Sequence, residues 1–526
     1  MSKFNRAVAV LTGRRSAATS PVTSETNPTG MTHEGAPGWA RDTKSELFLL
    51  AVTALAGEDT FYEKGNDRDS RLAALAGKAA VDDVNWTTRL VGWVRGEGNL
   101  RSAAVLIAAE GVAARLAAGL HGGNRELIAA AMRRPDEPGE MIAYWLARHG
   151  RAVPKPVKRG VGDAVRTLYN ERALAKYDTT AAAVRFGDVL EITHPAPVAP
   201  WQGDLFAHAI SRRHGRDDGA PESLAVLRAR EGLLALPADQ RRAAVLADGG
   251  AQRLADAGMT WESVAGWMGG PLDAAVWERL VEVMGYMALL RNLRNFDEAG
   301  LSDTVAAKVA ARIADPVRVA KSRQLPLRFL SAYRAAPSLR WGPALESALR
   351  ASLDNVPALP GRTLILVDRS GSMWSPLSAR SKVTQADAAA IFGSAVALRA
   401  EKGDLVEFGT GSNVVRPRKG ESLLRIIERF GDLGGTETAA AVRKHYAGHD
   451  RVLIVTDEQA WGGYRGEDPT AVVPAPVPVY TWNLAGYRHG HGPTGVANRH
   501  TFGGLTDGAF TAIPLLERAS DAPWPF

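Results

Sequence analysis

The sequence predicts a mixed fold, a long α-helical array followed by a doubly wound α/β domain, and three observations predict it. From Arg41 to about Asn355, apolar residues recur at helical spacing with brief turns between them. After that stretch, Thr363–Val367, Arg451–Thr456 and Val477–Trp482 are apolar runs bounded by turn residues, as expected of strands buried on both faces. Helical segments alternate with those runs, the order that builds a parallel sheet from β-α-β units.

Residues 1–38 come first and carry no apolar period. Ser20-Pro-Val-Thr-Ser-Glu-Thr-Asn-Pro-Thr-Gly30 is rich in turn formers, so a flexible N-terminal arm is expected. Residues 39–358 form the helical part. Leu47, Leu50, Ala51, Ala54 and Leu55 share one helical face, and Val105, Ala108, Ala109 and Val112 repeat the pattern. Met287, Leu290 and Leu293 continue it, while Gly122-Gly123, Pro135–Pro138 and Gly269–Pro271 interrupt it. Trp201, Trp261, Trp267 and Trp277 fall in helical segments and read as core. Many short helices with brief turns and no fixed period suit stacked, degenerate helical hairpins in the manner of HEAT-like repeats, an α-solenoid. Residues 359–526 form the α/β domain. Helices are expected at Thr384–Ala400, Glu421–Phe430 and Thr438–Tyr446, with a further strand at Asp404–Phe408.

Composition excludes several function classes. The chain has 526 residues, 45% hydrophobic and 23% charged, enough apolar material for large cores. It has no Cys, which removes disulfides, thiolate metal sites and thiol nucleophiles. No apolar run reaches the roughly 18–20 residues of a spanning helix, and Ala7–Leu11 with Arg14-Arg15 behind it makes a poor signal peptide. A cytoplasmic protein with no membrane partner is expected. A Gly-Lys-Ser/Thr phosphate loop, a His-Glu-x-x-His motif and a nucleophile elbow are all missing from the sequence. No enzymatic activity is expected, with metal-dependent phosphoryl transfer the rival to test.

The net charge of +7 is unevenly spread. Arg151, Lys155, Lys158, Arg159, Arg166, Arg172, Lys176 and Arg185 face only Asp163, Glu171 and Asp178 in the same stretch, a local +5. A concentrated basic face suggests a polyanionic partner; a solvated helix surface is the alternative.

Chemistry concentrates where the first buried strand ends, at Asp368-Arg-Ser370-Gly-Ser372-Met373. In an open parallel sheet the carboxyl ends of the strands form the binding crevice. An Asp and two hydroxyls at alternate positions can converge there on one hard cation. Gly434-Gly-Thr436 offers another hydroxyl, and Val455-Thr456-Asp457 ends the next buried strand with a carboxylate. Asp368, Ser370, Ser372, Thr436 and Asp457 make an oxygen-only set that suits Mg²⁺ or another divalent cation, with a position open to an outside carboxylate or phosphate. A polar strand-end loop without metal is the alternative. His489-Gly-His491 and His500 are a second conceivable metal group, or part of a Gly-rich surface loop.

The D-x-S-x-S…T…D pattern of those five residues resembles the metal-ion-dependent adhesion site of von Willebrand factor A domains. In that family the first and last Asp often act through water. The remainder of the chain resembles the TROVE-domain family, the Ro autoantigen and its bacterial Ro-like relatives. The resemblance rests on Leu47-Phe-Leu-Leu with Gly57–Tyr62, Leu168-Tyr-Asn170-Glu, Arg185–Pro195, Met287-Ala-Leu-Leu-Arg-Asn-Leu293 and Leu325-Pro-Leu-Arg-Phe-Leu330. It implies a ring of helical repeats with a von Willebrand factor A-like domain. It further implies small noncoding (Y or Y-like) RNA on a basic outer surface, single-stranded RNA ends in a central hole, and a 3′-to-5′ exoribonuclease as partner in noncoding RNA quality control. No DNA partner is expected. Carried over by motif, His194 and Lys176 match RNA-contacting positions and Arg185 a basic one, inside the +5 stretch. The segment before them departs from the family pattern, which bears on Y RNA specificity. The alternative functions are a metal-dependent protein-interaction scaffold and an ATPase-associated chaperone accessory.

Overall fold

The computed structural model describes residues 19–526 except 54–56, 217–218, 337, 355, 380, 419–420, 463–466, 496–497, 506–509, 511 and 519–522. Two compact units emerge. One comprises residues 1–75, 325–331 and 352–526; the other comprises residues 76–324 and 332–351. No described helix is long and apolar enough to cross a membrane.

The second unit is the helical array. Its principal packing joins helices a few places apart in the chain, as Val84–Gly96 with Arg101–Ala117, Asn124–Ala130 with Lys155–Leu168, and Asp303–Ala314 with Gly342–Ala351. Near-neighbour packing of this kind is what a solenoid of degenerate repeats requires. The Val105, Ala108, Ala109, Val112 stripe is fully buried on the Arg101–Ala117 helix, as its spacing predicts. The segment around Met287, Leu290 and Leu293 is not one helix: Tyr286–Arg291 and Leu293–Glu298 meet at Asn292, whose side chain bonds the Ala288 carbonyl at 2.7 Å. A buried ionic hub ties three helices together. Glu137 is fully buried and accepts from Arg95 at 2.7 Å, from Arg101 at 3.1 Å, and from the backbone N–H groups of Arg133 and Arg134.

The first unit is built on a six-stranded sheet. Its strands are β3 (Leu359–Asp368), β4 (Ala400–Phe408), β5 (Ser412–Val415), β6 (Arg451–Thr456), β7 (Val479–Asn483) and β9 (Arg499–Gly503), in the order β5-β4-β3-β6-β7-β9. All pairs are parallel except β4 with β5. Period-2 alternation assigns the faces of β3. Leu364 and Leu366 join Val406, Phe408, Val452 and Ile454 in a core covered by the Thr438–His445 helix. Ile365 and Val367 face the Gln385–Arg399 helix, which approaches so closely that a Cβ on Gly393 would stand 2.3 Å from Val367. That helix starts at a capping box formed by Thr384 and Asp387. The chain leaves β3 toward β4 and returns on the other side at β6, so the carboxyl ends of β3 and β6 flank the topological switch point.

The arm departs from expectation. Residues 1–18 lie outside the described ones, but from Thr19 to Ala40 the segment belongs to the α/β unit. β1 (Gly30–Met31) and β2 (Pro37–Ala40) pair antiparallel, and β2 adds to β8 (His489–Gly490). Val22, Ala36 and Trp39 are buried. Short strands whose partner lies 450 residues away leave no local period to read. The expected boundary at 39–358 moves for the same reason: the Thr43–Thr53 helix, with Leu47, Leu50 and Ala51 buried, also sits in the α/β unit. Ala54 and Leu55 lie outside the described residues.

Candidate metal centre and basic face

Strand register builds the candidate metal centre. Val367 pairs with Val455, so the next residues, Asp368 and Thr456, emerge side by side at the sheet edge. The Thr456 hydroxyl donates to Asp368 Oδ2 at 2.5 Å, and the Ser370 N–H donates to Asp368 Oδ1 at 2.9 Å. The Ser370 and Ser372 hydroxyls are 3.3 Å apart. Between Asp368 and Ser370 the chain alternates: Arg369 points the other way, donating to the Gly431 and Ala386 carbonyls and lying over Trp374, which pins the loop from behind. The Gly434 loop is stitched to this one by the Gly371 N–H donating to the Gly434 carbonyl at 2.6 Å, and Gly434 has φ 74°, where glycine fits without strain. Two residues on, Thr436 is buried, and its carbonyl accepts from the Trp461 N–H in the loop after Asp457. Asp457 itself is fully buried; Oδ1 accepts from the Gln459 N–H at 3.0 Å, and Oδ2 has no partner.

The electrostatics of this edge are those of crowded, buried carboxyl groups. Burial, more than any other cause, raises the Asp368 carboxyl above its ordinary range. Burial and then the nearby Asp368 charge push Asp457 up to about 7. Two buried carboxylates, three hydroxyls and an orphaned carboxylate oxygen fit a hard divalent ion, which would offset the repulsion that the protein alone leaves in place. Among the described residues no three His, Asp or Glu side chains form a metal-holding group; this set has only two carboxylates and takes its other oxygens from hydroxyls. The three histidines behave differently. His489 lies in β8, His491 bonds Thr481 at 3.4 Å, and His500 stacks on Tyr480. Burial leads in lowering all three below the ordinary imidazole value.

Sequence reasoning missed the groups that the arm brings to this edge. Tyr62 hydrogen-bonds Glu34, and its ring stacks on His33 with centroids 4.7 Å apart. Burial, with Glu34 and the Asp457 charge behind it, keeps the Tyr62 phenol protonated well above its usual range. Arg41 makes a buried ion pair with Glu458, the residue after Asp457. The resemblance of Gly57–Tyr62 to a family segment marked Tyr62, but nothing local tied it to a loop four hundred residues away.

The basic residues lie on the helical unit, mostly at its surface. At about 100° per residue, Lys155, Lys158, Arg159 and Arg166 fall within roughly 100° of one another on the Lys155–Leu168 helix, opposite the buried Val157 and Ala164. Lys155, Arg159 and Arg166 are exposed and Lys158 is half-buried. Gly162 lies within the same stripe, and a Cβ there would meet Pro195 at 3.8 Å. His194, exposed and in the left-handed conformation at φ 46°, therefore turns the chain beside the stripe; its backbone N–H closes the Phe186–Thr193 helix while its ring stays free for solvent. Arg172 and Lys176 are exposed on the Glu171–Tyr177 helix, where Arg172 donates to the Ala255 carbonyl at 2.5 Å and Lys176 lies over Tyr177. Arg185 departs from the expected role. Its guanidinium pairs with the buried Asp178 at 2.7 Å, so it closes the helix start instead of offering a free cation. Trp201 departs too: 39% exposed at the start of the Pro200–Arg213 helix, it is not core, whereas Trp267 and Trp277 are buried.

A family model for the TROVE domain matches residues 234–341. That segment is similar to a TROVE domain. The match contains the Met287–Leu293 and Leu325–Leu330 motifs. The crystal structure of the Ro (Rsr) protein of Deinococcus radiodurans is similar to the chain, with a TM-score of 0.61 and 19% identity, covering 91% of this chain and 99% of that one. At that identity the likeness is one of fold. The chain is thus similar in fold to that Ro protein, a helical array combined with a doubly wound α/β unit.

Proposed function

We propose that this protein binds structured RNA on the Lys155–Leu168 stripe and does no chemistry on it. The observation that carries the reading is the stripe itself: four cations on one face of one helix, His194 at its flank, and a fully apolar opposite face. Lys and Arg neutralise phosphates, so affinity falls steeply with salt, and an exposed His adds a donor or a stacking ring. The TROVE match and the Ro-like fold support RNA over other polyanions. A small Y-like noncoding RNA, single-stranded RNA ends, a 3′-to-5′ exoribonuclease partner and a cytoplasmic setting complete the proposal.

The test is charge reversal. Changing Lys155, Lys158, Arg159 and Arg166 together to Glu is expected to weaken structured RNA binding and to lower the salt slope by about one for each phosphate no longer neutralised. Affinity and slope equal to those of the unaltered protein would end the proposal for this face. Incubating labelled RNA with the protein and Mg²⁺ is expected to yield no cleavage.

The metal centre favours a second reading, a divalent-ion grip of von Willebrand factor A type for an acidic or phosphate group on a partner. Asp368, Ser370, Ser372, Thr436 and Asp457 would hold Mg²⁺, which would supply positive charge to that group. Binding of a partner that survives nuclease treatment and is abolished by chelator separates this scaffold role from RNA binding.

A further inference from the structure

The open side of the metal centre has an occupant from the same chain. Thr32–Gly35 runs along the loop that follows Asp457. The Thr32 hydroxyl donates to the Ala460 carbonyl at 2.8 Å, the His33 N–H donates to the Gln459 side chain at 2.7 Å, and the Gly462 N–H donates to the Glu34 carbonyl at 3.2 Å. These bonds fix Glu34 where its carboxylate accepts from the Tyr62 phenol. Tyr62 is held from its other sides as well. Its ring lies flat on His33, 2° from parallel, and edge-on to Tyr487 at 5.5 Å, while the Tyr487 hydroxyl accepts from the Tyr62 N–H at 3.5 Å. The phenol oxygen so placed faces the Ser372 hydroxyl and lies within the field of the Asp457 carboxylate.

A phenol that gives its proton to a carboxylate hydrogen bond keeps its lone pairs for an electrophile. Asp457, whose charge reaches the phenol, has its Oδ2 buried and unpartnered, and no hydrogen bond joins it to Tyr62. A hard cation between them answers both. We infer that Tyr62, oriented by Glu34, is the chain's own ligand on the open side of the metal centre, the oxygen that an outside carboxylate must displace. This rests on the reading of Asp368, Ser370, Ser372, Thr436 and Asp457 as a cation site. It makes Tyr62 a binding residue, Glu34 a positioning residue, and the incoming ligand an anion able to compete with a neutral phenol.

Mn²⁺ is the probe, added to the full-length protein. Free Mn²⁺ is followed by its paramagnetic resonance signal, and water on the bound ion by proton relaxation. Tyr62→Phe keeps the ring and its stacking. It is expected to admit water to the bound ion, raising the relaxation enhancement, and to lower the acetate concentration that quenches the enhancement by about tenfold. Glu34→Gln is expected to move both readouts the same way and to weaken Mn²⁺ by about tenfold, the lower end of what losing an orienting group does; Glu34→Asp is expected to restore part of each. Relaxation and acetate sensitivity identical in the unaltered protein and Tyr62→Phe overturn the inference and leave the metal site standing. Mn²⁺ bound by neither overturns both. Mn²⁺ bound by Tyr62→Phe but refused by the unaltered protein also overturns it, since a phenol that shuts the site is not a ligand within it.

Discussion

His500 sits in the α/β unit with both ring nitrogens buried and unpartnered, and burial lowers its pKa from 6.5 to about 4. The folded protein therefore holds it neutral, while the unfolded chain takes up a proton below about 6.5. Its contribution is complete above that pH and is lost as pH falls toward 4, a swing of roughly 3 kcal/mol. His500→Phe is expected to flatten this acid loss, read as the difference in urea-unfolding free energy between pH 7.5 and pH 5. Another residue-scale expectation concerns the metal centre: Asp368→Ala abolishes Mg²⁺-dependent thermal stabilisation yet leaves the helical unit folded. The gathering of Asp368, Ser370 and Ser372 on one strand-end loop was legible in sequence because they lie within five residues and follow an apolar run. Arg185 was misread because charge counts do not reveal which cations a buried Asp will claim. Tyr62 and Glu34 escaped because their chemistry depends on a tertiary approach, with Glu34 on a segment that has no period of its own.

Among elements, the Lys155–Leu168 helix separates its two roles cleanly by face. Reversing charge on its outer stripe is expected to change RNA affinity with little change in stability, because every buried partner stays in place. The Glu137 hub is the opposite case. Removing a fully buried carboxylate leaves Arg95 and the two backbone donors unsatisfied in a low-dielectric interior, and Glu137→Ala is expected to destabilise the helical unit by about 3–5 kcal/mol. Chemical denaturation followed by helical circular dichroism measures this. Helices with long apolar stripes were predictable from period alone, and three β strands from their apolar runs. The break at Asn292 was not, since a polar side chain bonding its own helix is compatible with either continuation or a kink.

For the whole molecule, the decisive feature is that early and late segments complete one unit. Arg41 pairs with Glu458 at 1% exposure of either side chain, and Arg68 and Arg71 bond the Ala485 and Gly486 carbonyls. A fragment of residues 352–526 alone keeps Glu458 buried without its cation, and is expected to be less stable by about 3–5 kcal/mol than a version carrying residues 19–75 as well. Thermal melts of the two fragments decide it. The sequence-based boundary placed those early residues elsewhere because local pattern reports helix or strand, not which distant sheet a segment joins.

The Arg41–Glu458 pairing spans 417 positions of chain. At ribosomal speeds of about 5–20 residues per second, Arg41 waits roughly 20–80 s for its counter-ion to be synthesised. Throughout that interval β2 has no β8 to pair with, and Trp39 has no finished surface to rest on. Nascent chains of this protein should therefore call on holding chaperones over residues 19–40 until Glu458 and β8 have been made.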